Sequence, residues 1–484
     1  MTPASELDVA PPDEQNLPVS PAGSAAGSLG RTFRDPAGSV EILADSVLRT
    51  VVPAHADETL DFLASPLAHD LANKAELISS TVLRSGADGL LLAHPRVPFI
   101  SYPAEWPPSL WAAAAELTLT LCARLVEEGW ILKDATPLNV LFQGTNPIFV
   151  DVLSIRRTEP VPIWFAYGQF VRTFLLPLIA HTQLGWRLQT AQTWRDGIEP
   201  EEIYATLPWR KRLFQPARGF ITLPVLLAKM MKSVGPIPPQ QPSDPAQARR
   251  ALLKTLASLH AALSQTRPSQ RVTTWSNYAE TAGHYSADAH AEKRQFVSET
   301  LDRCHPEHVL DVGCNTGNYS RLAAAAGANV VAIDQDTGAL ERLYAQSHAS
   351  GDKILPLCVD LSFPTPATGW NNRESFSFLD RCRDHFDTVL MLAVIHHLLL
   401  SAQIPLDRIA ELCAQISTRT LILEWVPPTD PKFIEVLRGR EAIYTHITEQ
   451  AFRAAFASHF TVERELTLKN DRILFHMRRR TACS

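Results

Sequence analysis

The segment that most constrains this chain is HVLDVGCNTGNYSRLAAAAGANVVAIDQD, residues 308–336. Residues 308–312 form a short apolar run suited to a buried parallel strand, and 319–326 are helical in composition. Gly327 is a natural helix stop because glycine accepts a left-handed backbone. Residues 329–333 predict a second buried strand with Asp334 at its carboxyl end. The arrangement is a βαβ unit with a glycine turn and a terminal acid, placed where a nucleotide-type ligand binds.

The residue types narrow the ligand. Gly313 and Gly317 allow close backbone approach, because no Cβ stands in the way. A carboxylate at the tip of the second strand accepts hydrogen bonds from ribose hydroxyls. Asp311, just before the glycines, suits a cationic amino acid moiety and repels a pyrophosphate. The turn is also not G-x-G-x-x-G, which disfavours a dinucleotide. S-adenosylmethionine (SAM) carries an ammonium, a sulfonium and a ribose, and fits both acids. Cys314 and Asn315, inside the turn, are counted with Asp311, Gly313, Gly317 and Asp334 as cofactor-binding candidates.

DVGCNTG resembles the first motif of the class I SAM-dependent methyltransferases, and the following segments keep that order. The resemblance implies a Rossmann-like, seven-stranded α/β sheet, with later strands over 355–359, 386–393 and 420–424 and a closing hairpin over 460–465 and 472–477. It also implies that Asp360, after the third strand, contacts the adenine amino group. Upstream, WSNYAETAGHYSADAHAEK resembles the lead-in segment of such enzymes, where Tyr285 or Tyr278 would cover the cofactor. An aromatic face near a sulfonium is favoured by cation–π attraction.

The acceptor side is less readable. Methyl transfer is an in-line displacement, and much of its catalysis is positioning. A general base is needed only for an acceptor with a proton of high pKa. His396 and His397, just after the fourth strand, are the candidates to deprotonate or orient an acceptor hydroxyl or amine; the alternative is that one caps a helix or fills the core. Glu424, after the fifth strand, is a further candidate. The Asn-Pro-Pro-Tyr signature of nucleic-acid amino methylation is absent, and no cysteine pair suggests a carbon-5 nucleophile.

Composition agrees. The chain has 484 residues with 45 basic and 51 acidic side chains, formally −6, which gives no electrostatic reason to expect nucleic acid. That length argues for two or three domains. Seven cysteines without a C-x-x-C pair argue against a disulfide framework or structural zinc and fit a reducing cytoplasm. The N-terminus lacks the basic start and apolar core of a signal peptide. No stretch approaches the roughly 20 apolar residues of a membrane helix; 174–180 and 220–231 come nearest. A cytoplasmic location is expected.

Residues 1–29, rich in Pro, Ala, Ser and Gly, are expected to be a disordered tail. Residues 234–247 carry five prolines and predict a stiff linker. The expected division is the tail, an N-terminal domain over 30–235, a linker with a helix over 236–268, and a methyltransferase domain over 269–484. In that helix Ala251, Leu252, Leu256, Leu259 and Leu263 share one face. It either bridges the domains or ends the first one.

In the N-terminal domain, residues 32–52 predict a hairpin, and Pro107-Pro-Ser109 opens a helix that Gly129 stops. Then comes ILKDATPLNVLFQGTNPIFVDVLS, residues 131–154, with Asp134 and Asn139 five apart, a hairpin, and Asp151 after it. The spacing resembles the catalytic loop and metal-binding acid of protein-kinase-like phosphotransferases. The chain departs from that family in four ways. Leu132-Lys133 replaces His-Arg, Val152-Leu153 replaces Phe-Gly, no G-x-G-x-x-G loop is present, and Arg49 is only a weak stand-in for the strand lysine. The resemblance therefore implies an α+β kinase-like accessory domain for binding or scaffolding, the alternative being an active phosphotransferase in a bifunctional enzyme. Trp164, Phe165, Tyr167, Phe170 and Phe174 are expected to form core first and floor a binding site second.

FRDPAG, FISYPAEW, LKDATPLNVLF, DVGCNTGNYS, RESF, AVIHHL and EWVPPTDP together are similar to a bacterial group of two-part proteins related to the host-specific nodulation proteins of rhizobia. The group implies SAM-dependent methylation of an acceptor it does not specify. A small molecule, glycan or lipid-linked intermediate is expected. A non-catalytic SAM-binding regulator is the remaining alternative.

Overall fold

A computed structural model describes residues 30–31, 34–159, 161–231, 244–266 and 287–480. The expected tail, most of the proline-rich linker, Tyr278 and Tyr285 lie outside the described residues.

The N-terminal half opens with strands β1 (Gly30–Arg31), β2 (Gly38–Ile42), β3 (Ser46–Val51), β4 (Thr81–Gly86) and β5 (Gly89–Pro95). They form an antiparallel sheet in the order β1-β2-β3-β5-β4, with helices Pro53–Leu63 and Pro66–Asn73 between β3 and β4. The long helix Pro108–Glu127 follows. Prolines at positions 107 and 108 start it, since proline suits the first helical turn. Short pairs then frame a loop: β6 (Trp130–Leu132) with β9 (Ile155–Arg157), and β7 (Val140–Gln143) with β8 (Asn146–Phe149).

One expectation about this half is corrected and one is refined. Among the described residues, one helix, Pro108–Glu127, is long and apolar enough to cross a membrane, and 61% of its most apolar window is buried inside the fold. That helix, and neither 174–180 nor 220–231, is the segment nearest to a membrane span. The aromatic cluster is also split: Trp164, Phe170 and Phe174 are buried, but Phe165 is 73% exposed and Tyr167 38%. Helical spacing fixes which residues share a face, not how far that face is covered.

The helix Pro245–Ser264 buries Leu252, Leu256, Leu259 and Leu263. Arg249 donates to the Glu127 carbonyl at 3.1 Å, so the helix lies along Pro108–Glu127 and caps the N-terminal half.

The second half is a seven-stranded sheet of β10 (His308–Val312), β11 (Asn329–Asp334), β12 (Ile354–Cys358), β13 (Thr388–Met391), β14 (Thr420–Trp425), β15 (Phe460–Thr467) and β16 (Ile473–Arg479). Its order is β12-β11-β10-β13-β14-β16-β15, with β10 to β14 parallel and β16 antiparallel to both neighbours. The order reverses between β10 and β13, and the carboxyl ends of the strands meet there, where open α/β sheets bind ligands.

The halves are fused. Phe99 packs on Phe378 and Phe386, with ring centroids 6.0 and 5.5 Å apart. Arg381 forms an ion pair with Glu105, both side chains buried, and donates to the Ile100 carbonyl at 2.5 Å. Ser109 donates through its backbone N–H and hydroxyl to Glu341.

Candidate active site

The turn after β10 holds three residues in the left-handed region: Gly313 (φ +68°), Asn315 (φ +50°) and Gly317 (φ +76°). It is stitched to β11, because the N–H groups of Gly313 and Cys314 both donate to the Ile333 carbonyl, at 2.9 and 3.0 Å. Beyond allowing close ligand approach, the two glycines meet a packing demand: a Cβ on Gly313 would collide with Val394, and one on Gly317 with Leu343. The glycines are required by the turn's conformation and by its packing against the protein itself.

Asp334 braces this turn. Its carboxylate accepts from Asn315 N–H at 2.8 Å and from Asp336 N–H at 2.9 Å, one on each oxygen. Burial raises its pKa, and the backbone donors oppose that rise. A Gln335 backbone donor acts on it as well, so the carboxylate is held ionisable at the strand end where ribose hydroxyls are received. Asp360 follows β12 by two residues, and its Oδ1 accepts from Ser362 N–H at 2.8 Å and Ser362 Oγ at 2.6 Å. Cys314 is buried in the turn, and burial holds its thiol well above the ordinary range.

Asp311 is 2% exposed and accepts from Ser320 Oγ at 2.6 Å. Among the described residues no cation pairs with it, and burial pushes its pKa up to about 7. Lys293 is near enough to oppose that rise without forming an ion pair with it, and a buried carboxylate at the head of a ligand turn fits the ammonium of SAM.

On the acceptor side, His396 and His397 open the helix Ile395–Leu400 after β13. His396 is 3% exposed, and among the described residues its buried Nδ1 has no hydrogen-bond partner. Burial first, and His397 and Arg472 next, lower its pKa to about 3. It is therefore neutral at physiological pH and a weak base. Burial also lowers the pKa of half-buried His397.

Glu424 is fully buried and ion-paired on both sides, to Lys293 and to Arg472 Nη1 at 3.2 Å. Arg472 also binds Asp430 at 2.7 Å, and Lys293 lies 4.9 Å from the centre of the Tyr319 ring. Glu424 is thus a member of a buried charge network, not an available base, which corrects the expectation for it. Sequence reasoning missed Lys293, Asp430 and Arg472. Their distance along the chain hides the network, although an aspartate and a glutamate within EWVPPTDP offered a partial signal.

In the N-terminal half, Asp134, Asn139 and Asp151 line one cleft of about 1030 Å³. Asn139 Nδ2 donates to Ser154 Oγ at 3.5 Å, and that hydroxyl donates to the Asp134 carbonyl at 3.3 Å. Arg49 is buried in β3 and pairs with Asp151 at 2.8 Å. Lys133 pairs with Asp35 at 3.2 Å. Burial raises the pKa of Asp134, against the pull of Lys133.

Comparison with known proteins agrees with the second half. The family described as "Methyltransferase domain" matches residues 310–416. The malonyl-[acyl-carrier protein] O-methyltransferase of Pectobacterium atrosepticum is 36% identical over 105 residues, 19% of this chain and 41% of that protein. Among solved structures, the N-methyltransferase NodS of Bradyrhizobium japonicum is 14% identical and covers 40% of this chain and 99% of its own, with a TM-score of 0.29. The bifunctional kinase-methyltransferase WbdD is 16% identical and covers 39% of this chain and 38% of its own, with a TM-score of 0.28. At those scores neither likeness carries weight. The nodulation protein NoeA of Rhizobium meliloti does: it is 31% identical over 451 residues, 90% of this chain and 92% of that protein. A chain matched over nearly its whole length, with a methyltransferase domain that contains the turn framed by Asp311 and Asp334, belongs to the NoeA family and carries a methyltransferase domain with the class I SAM-dependent fold.

Proposed function

We propose that this protein methylates a small molecule, a glycan or a lipid-linked intermediate in the cytoplasm, and that its N-terminal half is a kinase-like accessory unit. The observation that carries the methyltransferase reading is the turn: a buried Asp311 before it, held by Ser320 and in no ion pair among the described residues, and Asp334 bracing it from the end of β11. When bound, SAM supplies an electrophilic methyl group on its sulfonium. Asp311 holds the ammonium end, Asp334 the ribose and Asp360 the adenine amino group.

The orphaned Nδ1 of His396 is the natural partner for the acceptor's hydroxyl or amine proton. With its depressed pKa, His396 orients the acceptor as a neutral hydrogen-bond acceptor and does not carry its proton away. The Lys293–Glu424–Arg472–Asp430 network fixes the wall beside it. Incubating the protein with methyl-labelled SAM and fractionated cell extract tests the reading. Label in a non-nucleic-acid fraction, lost in Asp334→Ala, supports it. Cofactor binding without label in any fraction would favour a non-catalytic regulator.

The kinase-like reading of the N-terminal half is supported by the antiparallel sheet, the following long helix, and the gathering of Asp134, Asn139 and Asp151 at one cleft with Arg49 on β3. The pairing of Asp151 with Arg49 favours binding over phosphoryl transfer, because the carboxylate that would hold a metal is already engaged. ATP turnover that needs magnesium and disappears in Asp134→Ala would instead establish a bifunctional enzyme.

A further inference from the structure

The N-terminal cleft is built by both halves of the chain. Its inner walls are β2, β3 and the 133–139 loop, and its outer wall is residues 365–376, which follow β12 in the methyltransferase half. That wall is pinned in place. Phe376 N–H donates to Tyr102 Oη at 3.1 Å, and Glu374 forms an ion pair with Arg34.

The charge of the cleft runs against that of the protein. Seven arginine and lysine side chains line it against four carboxylates, in a chain of formal charge −6. Three of the cations are neutralised, Arg34 by Glu374, Arg49 by Asp151 and Lys133 by Asp35. Among the described residues Arg156, Arg195 and Arg373 make no ion pair within 4 Å, although Arg156 acts on Asp134 and Arg195 on Glu374 at longer range, and all three are solvent-exposed. Further apolar lining comes from Trp164, Trp194 and the exposed ring of Phe165. A cavity of this volume, apolar within and cationic around it, suits a ligand with an organic body and an anionic group.

The geometry points to a second ligand site in this cleft, for an organic phosphate whose body lies against the aromatic rings and whose phosphate meets Arg195 and Arg373. Guanidinium forks bind phosphate oxygens in pairs, which a lysine cannot do. The site works without a metal, because Arg49 already occupies Asp151. It is incomplete in the N-terminal half alone, because Arg373 comes from the methyltransferase half. It does not depend on methyl transfer.

The test is calorimetric titration of the full chain, in chelator at low salt, with AMP, glucose 1-phosphate and inorganic pyrophosphate. AMP binding marks a nucleoside phosphate site, and glucose 1-phosphate binding a sugar phosphate site. Either is expected to bind more tightly than pyrophosphate, to be unaffected by added magnesium, and to weaken as salt rises. The double substitution Arg195→Ala/Arg373→Ala is expected to weaken binding by about tenfold or more, with affinity for S-adenosylhomocysteine unchanged. The proposal is overturned if none of the probes binds at about 1 mM, or if binding survives the double substitution. It is equally overturned if binding requires magnesium and is lost in Asp151→Asn, the behaviour of a metal-nucleotide site.

Discussion

Asp311 should make cofactor binding pH-dependent. Burial holds its carboxyl at about 7, against an ordinary value of 3.8. The ammonium of the ligand favours the ionised form, so binding must drive off the proton wherever the free protein still holds it. With a free-state pKa of about 7 and a bound-state value back in the carboxylate range, affinity for S-adenosylhomocysteine should fall about eightfold from pH 7.5 to pH 6, close to 1.2 kcal/mol. Calorimetry at pH 6 in buffers of different ionisation enthalpy should show release of roughly 0.9 proton per ligand. Asp311→Asn should bind more weakly and without that release. The same group acts on stability with the sign opposite to a salt-bridged aspartate. Its folded pKa lies above its unfolded one, so the fold loses stability as pH rises from about 4 to 7, by at most about 4 kcal/mol. Affinity independent of pH across 6–7.5, with no proton release, would refute both the buried free carboxyl and its role toward the ammonium.

Gly317→Ala places a methyl against Leu343 at φ +76° and should cost about 1–3 kcal/mol in urea unfolding; an unchanged midpoint would show that the turn relaxes freely. Arg381→Ala leaves the buried Glu105 carboxylate without its counter-charge, held among the described residues only by Tyr102 N–H at 3.1 Å, and should cost roughly 3–5 kcal/mol. Loss of less than 1 kcal/mol would mean that Glu105 finds water or a new donor. His396→Ala should lower label transfer by about a hundredfold while cofactor affinity holds. Because its pKa is near 3, His396 should add no inflection to the rate profile between pH 5 and 9; an inflection removed by the substitution would make it a titrating base.

The methyltransferase sheet was legible because each parallel strand is a short apolar run buried on both faces, and its register needs no side-chain detail. The predicted strand over 308–312 matches β10 residue for residue, and Asp334 sits at the end of β11 as expected. The packing demand on the glycines was not legible, because Val394 and Leu343 approach the turn from later elements. The Glu424 network was hidden for the same reason: Lys293, Glu424 and Arg472 converge from the helix Ala287–Cys304, β14 and the residue before β16. Exposure of Phe165 depends on which surfaces the other half covers, and periodicity does not record that. The fusion of the halves uses residues such as Arg381, Glu105 and Glu341 that look like ordinary surface charges in the sequence.

The central claim is that the turn behind Asp311 and Asp334 binds SAM. Its most direct test is titration of S-adenosylhomocysteine into the full chain and into Asp334→Ala, with circular dichroism confirming that both are folded. The account predicts one site in the native protein and at least about tenfold weaker binding in the variant. No binding by the native protein at saturating ligand, or equal binding by both, would contradict it.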